Sequence, residues 1–136
     1  MRSILVTVFL LSLTSGGLAQ TAPRAIPGKC LLSIFVDFQA ARPHCKTSSP
    51  ALDAAVDETL AILEKRLIEV GEATAELVDT LRADSQAAWR EISASQIAAA
   101  CQASSPVSWA MTLQSLGEIA RSIQAAPPDR FTDACI

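Results

Sequence analysis

The chain has four cysteines, which could form disulfides or bind a metal, and a single histidine. The cysteines show no C-x-x-C spacing, so a metal site is the less favoured interpretation. An even number of cysteines is typical of disulfide-bonded domains in exported proteins. We therefore predict two disulfides and no metal or cofactor. The cysteines are Cys30, Cys45, Cys101 and Cys135.

Acid–base and nucleophilic chemistry have few candidates. His44 lies between Pro43 and Cys45, whereas hydrolases of the usual kind hold a histidine base beside a nucleophile. The glutamates are spaced like the solvated face of a helix and not like a catalytic pair in a cleft. The sequence predicts that the chain is not an enzyme, that it has no catalytic residue and that His44 is a turn residue. The glutamates are Glu64, Glu69, Glu72 and Glu76.

Residues 1–19 have the pattern of a cleavable signal peptide. Arg2 precedes an apolar run at residues 4–13, and small residues lead up to Ala19. The run of about ten residues is too short to cross a bilayer of about 30 Å as a helix, which disfavours the alternative of an uncleaved anchor. The sequence predicts cleavage before Gln20 and a secreted or periplasmic protein.

The rest of the chain is predicted to form a disordered lead-in at residues 20–29 and a single helical domain at residues 30–136. The chain has 14 acidic and 11 basic residues, which disfavours nucleic acid and anionic membranes as partners. No stretch after residue 19 has the length and hydropathy of a membrane span. An aromatic content of 4% and abundant alanine favour closely packed helices over strands.

The apolar pattern predicts about four helices. The first covers residues 31–42, which are apolar on most of the helix circumference, and Pro43 ends it. The second starts at Ser49, a good capping residue, with Pro50 at the first helical position. Its apolar residues follow a 3-4 spacing that predicts one buried stripe. These residues are Leu60, Leu63, Leu67, Val70, Leu77 and Leu81.

This second helix must break before the next cysteine. A helix running unbroken from Pro50 to residue 103 would be about 80 Å long, which is too long for a compact domain of this size. Residues 82–85 are the preferred break, because Asp or Ser there could cap the following helix. Gly71 is the second choice and residues 93–96 are the third.

The last helix is predicted to begin at Ser105 and Pro106 and to end at Pro127. Trp109 would lie on its apolar stripe, and Trp89 has core spacing in the preceding helix. Both tryptophans are therefore predicted to be core residues and not ligand contacts. The stripe consists of Trp109, Leu113, Leu116, Ala120 and Ile123.

Four helices with short connections favour an antiparallel arrangement, so the predicted fold class is all-α: a small up-down helical bundle cross-linked by two disulfides. Cys30 and Cys45 flank a helix about 18 Å long, whereas a disulfide needs Cα atoms about 4.4–6.8 Å apart. In this topology Cys45 and Cys101 meet at one end of the bundle and Cys30 and Cys135 at the other. The topology favours these two pairs.

Several residues in the middle half of the chain resemble a known family. The N-terminal domains of LprI-type lysozyme inhibitors, which are periplasmic, carry a similar order of Cys, Leu-Asp, Leu, Gln-x-x-Trp and Cys. Ser93 stands where the family has an arginine, and Cys101 follows the tryptophan at a longer distance than the family cysteine does. The resemblance implies a helical domain that inhibits an enzyme by binding it. The matching residues are Cys45, Leu52, Asp53, Leu81, Gln86, Trp89 and Cys101.

These exclusions lead to two functional hypotheses. The first is an exported, non-enzymatic helical binding protein whose partner is another protein, such as an enzyme that it inhibits. The alternative is a carrier that holds a small apolar ligand in the bundle core, suggested by the apolar first helix. A lined cavity would favour the carrier, whereas a filled core with an exposed apolar patch would favour the protein binder.

Overall fold

The computed structural model describes residues 24–46 and 49–135. Within these residues the chain is all-helical, which confirms the predicted fold class, and its one extended pairing is a bridge between Ile26 and Phe131. The predicted signal peptide at residues 1–19 and its cleavage site lie outside the described residues. The helices are α1 (Gly28–Ala41), α2 (Pro50–Glu69), α3 (Ala75–Glu91), α4 (Ile97–Ala103) and α5 (Leu113–Ala125), followed by a short 3-10 helix (Pro128–Arg130).

The first described residues belong to the fold. The amide of Ile26 donates to the carbonyl oxygen of Arg130 at 2.7 Å. α1 then begins at Gly28, where a Cβ atom would lie 2.5 Å from Cδ2 of Leu67. Glycine therefore allows the first turn of α1 to approach α2 closely. The disordered lead-in predicted by the sequence is corrected at residues 26–29, and its first residues lie outside the described part of the chain.

The hydrophobic core forms around α1, which packs against both α2 and α3, while α5 packs against α2. The apolar sequence of α1 explains this position, because a helix that is apolar on most sides must be covered on most sides. Burial of each large apolar side chain stabilises the fold by about 1.5–3 kcal/mol. The fully buried side chains are Leu32, Phe35, Val56, Leu60, Leu63, Leu67, Leu116 and Ile123.

The predicted second helix breaks at two of the three predicted sites. α2 ends at Glu69, and Gly71 then adopts a φ of +79°, in the left-handed region that glycine enters without steric cost. Thr74 starts the next helix, because its hydroxyl accepts a hydrogen bond from the amide of Leu77 at 3.1 Å. The second break lies at residues 92–96, between α3 and α4.

The preferred break at residues 82–85 is wrong, since α3 runs through it without interruption. Two side chains of this segment make contacts with other helices, and one of them is Ser85, which could otherwise cap a helix. Arg82 forms an ion pair with Glu64 of α2, and Ser85 donates a hydrogen bond to Asp37 of α1 at 3.1 Å. These contacts favour a continuous helix that lies against both neighbours.

The last helix starts later than the sequence predicts. α5 begins at Leu113, and Thr112 and Ser115 form a reciprocal capping box in which each hydroxyl accepts from the other's amide, at 3.1 Å and 2.8 Å. The predicted start at Pro106 is wrong, because the chain from there to α5 forms a series of hydrogen-bonded turns. Ala110 in this connection has a φ of +53°, which no helix tolerates.

Both disulfides join parts of the chain that are distant in sequence. Cys30 in the first turn of α1 is bonded to Cys135 near the C-terminus, and Cys45 after α1 is bonded to Cys101 in α4. The Cα atoms are 5.6 Å apart in each pair, within the usual range for a disulfide. These are the two pairs that the topological argument favours.

The turn at Gly71 gives the first testable prediction. Gly71→Ala should destabilise the protein by about 1 kcal/mol, because its left-handed φ is unfavourable for alanine although the space around it is open. Gly117→Ala is the matched control, since Gly117 lies inside α5 and a Cβ there would meet only Arg121 at 3.5 Å. The control should be stabilised by about 0.5–1 kcal/mol. Urea denaturation measures both, and equal signs would contradict the assigned turn.

Candidate functional site

Asp37, the one carboxylate of α1, connects three parts of the fold. Its Oδ1 atom accepts hydrogen bonds from Nε1 of Trp89 at 2.7 Å and from Oγ of Ser85 at 3.1 Å, both on α3. Its Oδ2 atom accepts from the hydroxyl of Ser104, directly after α4. A partly buried carboxylate needs such donors, because burial without them is costly. Asp37 therefore holds α3 and the end of α4 in fixed positions beside α1.

Trp89 and His44 form a stacked pair next to this carboxylate. Trp89 is 3% exposed, as expected for a packed residue, and the ring of exposed His44 lies over it with centroids 5.7 Å apart and an interplanar angle of 23°. His44 lies in the turn after α1, where the sequence places it. The stacking gives His44 a packing contact that its neighbours in the sequence do not reveal.

A second carboxylate, Asp57 of α2, binds the end of α1. It accepts hydrogen bonds from Nε2 of Gln39 at 2.6 Å and from a guanidinium nitrogen of Arg42 at 2.9 Å. Burial acts to raise the pKa of Asp57, but the hydrogen bonds and the charge of Arg42 outweigh it and hold the pKa below its ordinary value. This carboxylate is therefore ionised near neutral pH and already paired.

An open cleft of about 350 Å³ lies between α1 and α3. We call it the polar cleft. One wall is a row of long polar side chains on α3, and the other is the surface of α1 and the turn that follows it. Both charged groups in its lining are cationic. The residues that define the polar cleft are Gln39, Ala40, His44, Arg82, Gln86 and Arg90.

A second open cleft, of about 590 Å³, lies on the other side of His44, between the turn after α1, α4 and the start of the connection to α5. We call it the apolar groove. Its lining is mostly apolar, and the Cys45–Cys101 bond holds α4 beside the turn that forms one wall. His44 lines both clefts and therefore lies between them. The residues that line the apolar groove are His44, Lys46, Ile97, Ala98, Cys101, Gln102, Ser105, Val107 and Ser108.

Three exposed apolar side chains follow the groove along the chain: Val107, Trp109 and Leu113, which are 69%, 50% and 55% exposed. We call them the apolar patch. The prediction that Trp109 is a core residue is therefore wrong. Its ring is nevertheless fixed, because Nε1 donates to the carbonyl oxygen of Ala103 at 2.7 Å and the ring meets Phe38 edge-on at 6.1 Å between centroids. A large apolar side chain is held in place at the surface.

Among the described residues, no group of three or more metal-ligating side chains comes together. No helix of residues 24–46 and 49–135 has the length and apolar character that crossing a membrane requires.

No family model, curated protein or solved structure matches the chain. The resemblance to the LprI-type inhibitors therefore stays a hypothesis that rests on the residues quoted for it. The function of the site is therefore inferred from its side chains, their contacts and their charges.

The sequence analysis does not identify two features of the site, although each has a signal in the sequence. Asp37 is the one acidic residue in an otherwise apolar helix, and such a residue must find donors on neighbouring elements. Arg82, Gln86 and Arg90 are spaced four residues apart, which places them on one face of a helix. The position of Trp109 has no comparable signal, because it depends on where α5 begins.

The contacts of Asp37 give the second prediction. Asp37→Ala should destabilise the protein by about 2–3 kcal/mol, because it removes a charged acceptor and leaves the indole nitrogen of Trp89 buried without a partner. Asp84→Ala, at an exposed position of α3, is the matched control and should change stability by less than about 0.5 kcal/mol. Urea denaturation followed by tryptophan fluorescence tests both variants. Similar losses in the two would show that Asp37 does not connect the helices.

Proposed function

We propose that this protein is an exported, non-enzymatic binding protein that acts on a protein partner, as an inhibitor or an interaction module. The observation that carries the proposal is the apolar patch, in which Trp109 is half-exposed and yet fixed by its contacts with Ala103 and Phe38. Tryptophan residues of this kind dominate the binding energy of many protein interfaces. A side chain that is already ordered loses little conformational entropy on binding.

The backbone around the patch supports the same proposal. Ala110 holds a left-handed φ of +53° that is unfavourable for alanine, and this conformation directly follows Trp109. Strained residues of this type concentrate at functional sites, where the surrounding structure maintains them. Here the surrounding structure includes the capping box at Thr112 and the hydrogen bond from the amide of Met111 to Pro106.

The core gives less support to the alternative, a carrier of a small apolar ligand. Phe35, Leu60 and Leu63 are fully buried in one continuous cluster, and the apolar groove lies at the surface and is open. A carrier would instead be expected to enclose most of its ligand in a cavity of about 300–1,000 Å³. An open groove next to an exposed tryptophan fits a protein segment better.

The export part of the proposal rests on the two disulfides together with the pattern of residues 1–19. Disulfides persist in oxidising compartments, which include the bacterial periplasm and the extracellular space. We propose that the protein is secreted or periplasmic and that it functions without residues 1–19.

Intact mass spectrometry of the exported protein tests this third prediction. The mass should correspond to a chain that starts at Gln20 and should lie four hydrogens below that of the reduced chain, because each of the two disulfides removes two. Reduction should restore those four hydrogens. Retention of residues 1–19, or a mass equal to that of the reduced chain, would contradict the proposed export.

The fourth prediction concerns the patch, with peptides from a phage-displayed random library as the probe. Peptides selected on the folded protein should bind Trp109→Ala at least about tenfold more weakly, because a hot-spot tryptophan contributes about 2 kcal/mol or more. The variant should lose no more than about 2 kcal/mol of stability, since Trp109 is half-exposed and a fully buried tryptophan would cost about 3–5.

Ile68→Ala is the matched control for this experiment. Ile68 is another large apolar side chain at the surface, 43% exposed, but it lies on α2 outside the patch. Its substitution should leave peptide affinity unchanged. Peptides that bind Trp109→Ala as tightly as they bind the unmodified protein would contradict the proposed function.

A further inference from the structure

Arg90 at the end of α3 is a cation without a carboxylate partner among the described residues. Arg42, Arg66 and Arg82 each form an ion pair with a carboxylate, but none of the described ion pairs includes Arg90. The positions three and four residues before it on α3 hold Ala87 and Gln86, neither of them charged. Its guanidinium is therefore available to an external anion.

The charge of the two clefts differs from that of the whole chain. The chain has more acidic than basic residues, yet neither the polar cleft nor the apolar groove is lined by an aspartate or a glutamate. Three cations line them: Arg82, Arg90 and Lys46. Arg82 is neutralised by Glu64, so the positive charge remains at Arg90 and Lys46, on the two sides of His44.

The geometry of α3 favours an extended chain as the occupant. Arg82, Gln86 and Arg90 lie on one face of the helix and extend over about 12 Å, which corresponds to several residues of an extended peptide. A guanidinium binds a carboxylate through two parallel hydrogen bonds, and the amide of Gln86 can donate to the same group. In the facing wall Ala40 and Pro43 carry no hydrogen-bonding side chain, and the side-chain oxygen of Gln39 is a neutral acceptor, which a guanidinium binds more weakly than a carboxylate.

The polar cleft and the apolar groove both border His44, and Val107 belongs to both the groove and the patch. A chain that crosses the His44 ring can therefore place one side chain in the groove and another at Arg90. We propose that the partner presents a segment with a large apolar side chain close to an aspartate or glutamate: the apolar side chain fills the groove, and the carboxylate binds Arg90 and Gln86. This inference rests on the proposed function and names the chemistry of its partner.

Charge reversal at Arg90 tests the inference with the same phage-displayed random peptides. Peptides selected on the unmodified protein should be enriched in Asp and Glu near Trp, Phe, Leu or Ile. Arg90→Glu should bind those peptides about tenfold more weakly, and a selection on this variant should instead enrich Lys and Arg at the corresponding positions. Added salt should weaken binding to the unmodified protein more than binding to the variant, because exposed ion pairs are screened.

Arg121→Glu is the matched control, since Arg121 is exposed on α5 and lines neither cleft. It should leave the affinity and the selected sequences unchanged. Selected peptides without acidic enrichment, or equal effects of the two charge reversals, would overturn the inference. Peptides that respond to Trp109→Ala but not to Arg90→Glu would overturn the inference alone, whereas peptides that do not respond to Trp109→Ala would overturn the proposed function.

Discussion

The arrangement of this fold depends on one partly buried polar group, the carboxylate of Asp37. α1 is otherwise an apolar helix, and it packs against two other helices. A charged group in that position is tolerable only if donors on neighbouring elements satisfy it. The donors are Trp89 and Ser85 on α3 and Ser104 after α4. The hydrogen bonds to Asp37 therefore determine how α3 and the end of α4 are placed against α1.

The positions of the two clefts depend on the hydrogen bonds of Asp37. With Trp89 held against Asp37, its indole ring presents a flat face on which the ring of His44 stacks. His44 thereby becomes the boundary between the polar cleft and the apolar groove. The Cys45–Cys101 disulfide acts on the same region, because it fixes the turn after α1 to α4. Three interactions thus lie close together: the stacking of His44 on Trp89, the hydrogen bond between Trp89 and Asp37, and the Cys45–Cys101 disulfide.

The sequence predicts those parts of the fold that depend on local or topological rules. The all-helical class, the start at Ser49 and Pro50 and the favoured cysteine pairs follow from apolar periodicity, capping and the distance that a helix spans. The prediction fails where two local signals compete. Ser105 and Pro106 have the pattern of a helix start, but the capping box at Thr112 prevails, and Trp109 is therefore exposed. Residues 82–85 look like a break only until their tertiary contacts with α1 and α2 are known.

The wrong prediction that Trp109 is a core residue also explains why the candidate site is hard to find from the sequence. Had α5 begun at Pro106, Trp109 would lie in the same helical stripe as Leu116 and Ile123, which are 1% exposed. Because α5 begins only at Leu113, Trp109 is not part of the stripe, and its hydrogen bond to Ala103 fixes it at the surface. A periodic pattern shows which residues could share one face of a helix, but it does not show at which residue the helix begins. In this chain a difference of about two helical turns decides whether Trp109 is buried in the core or held at the surface.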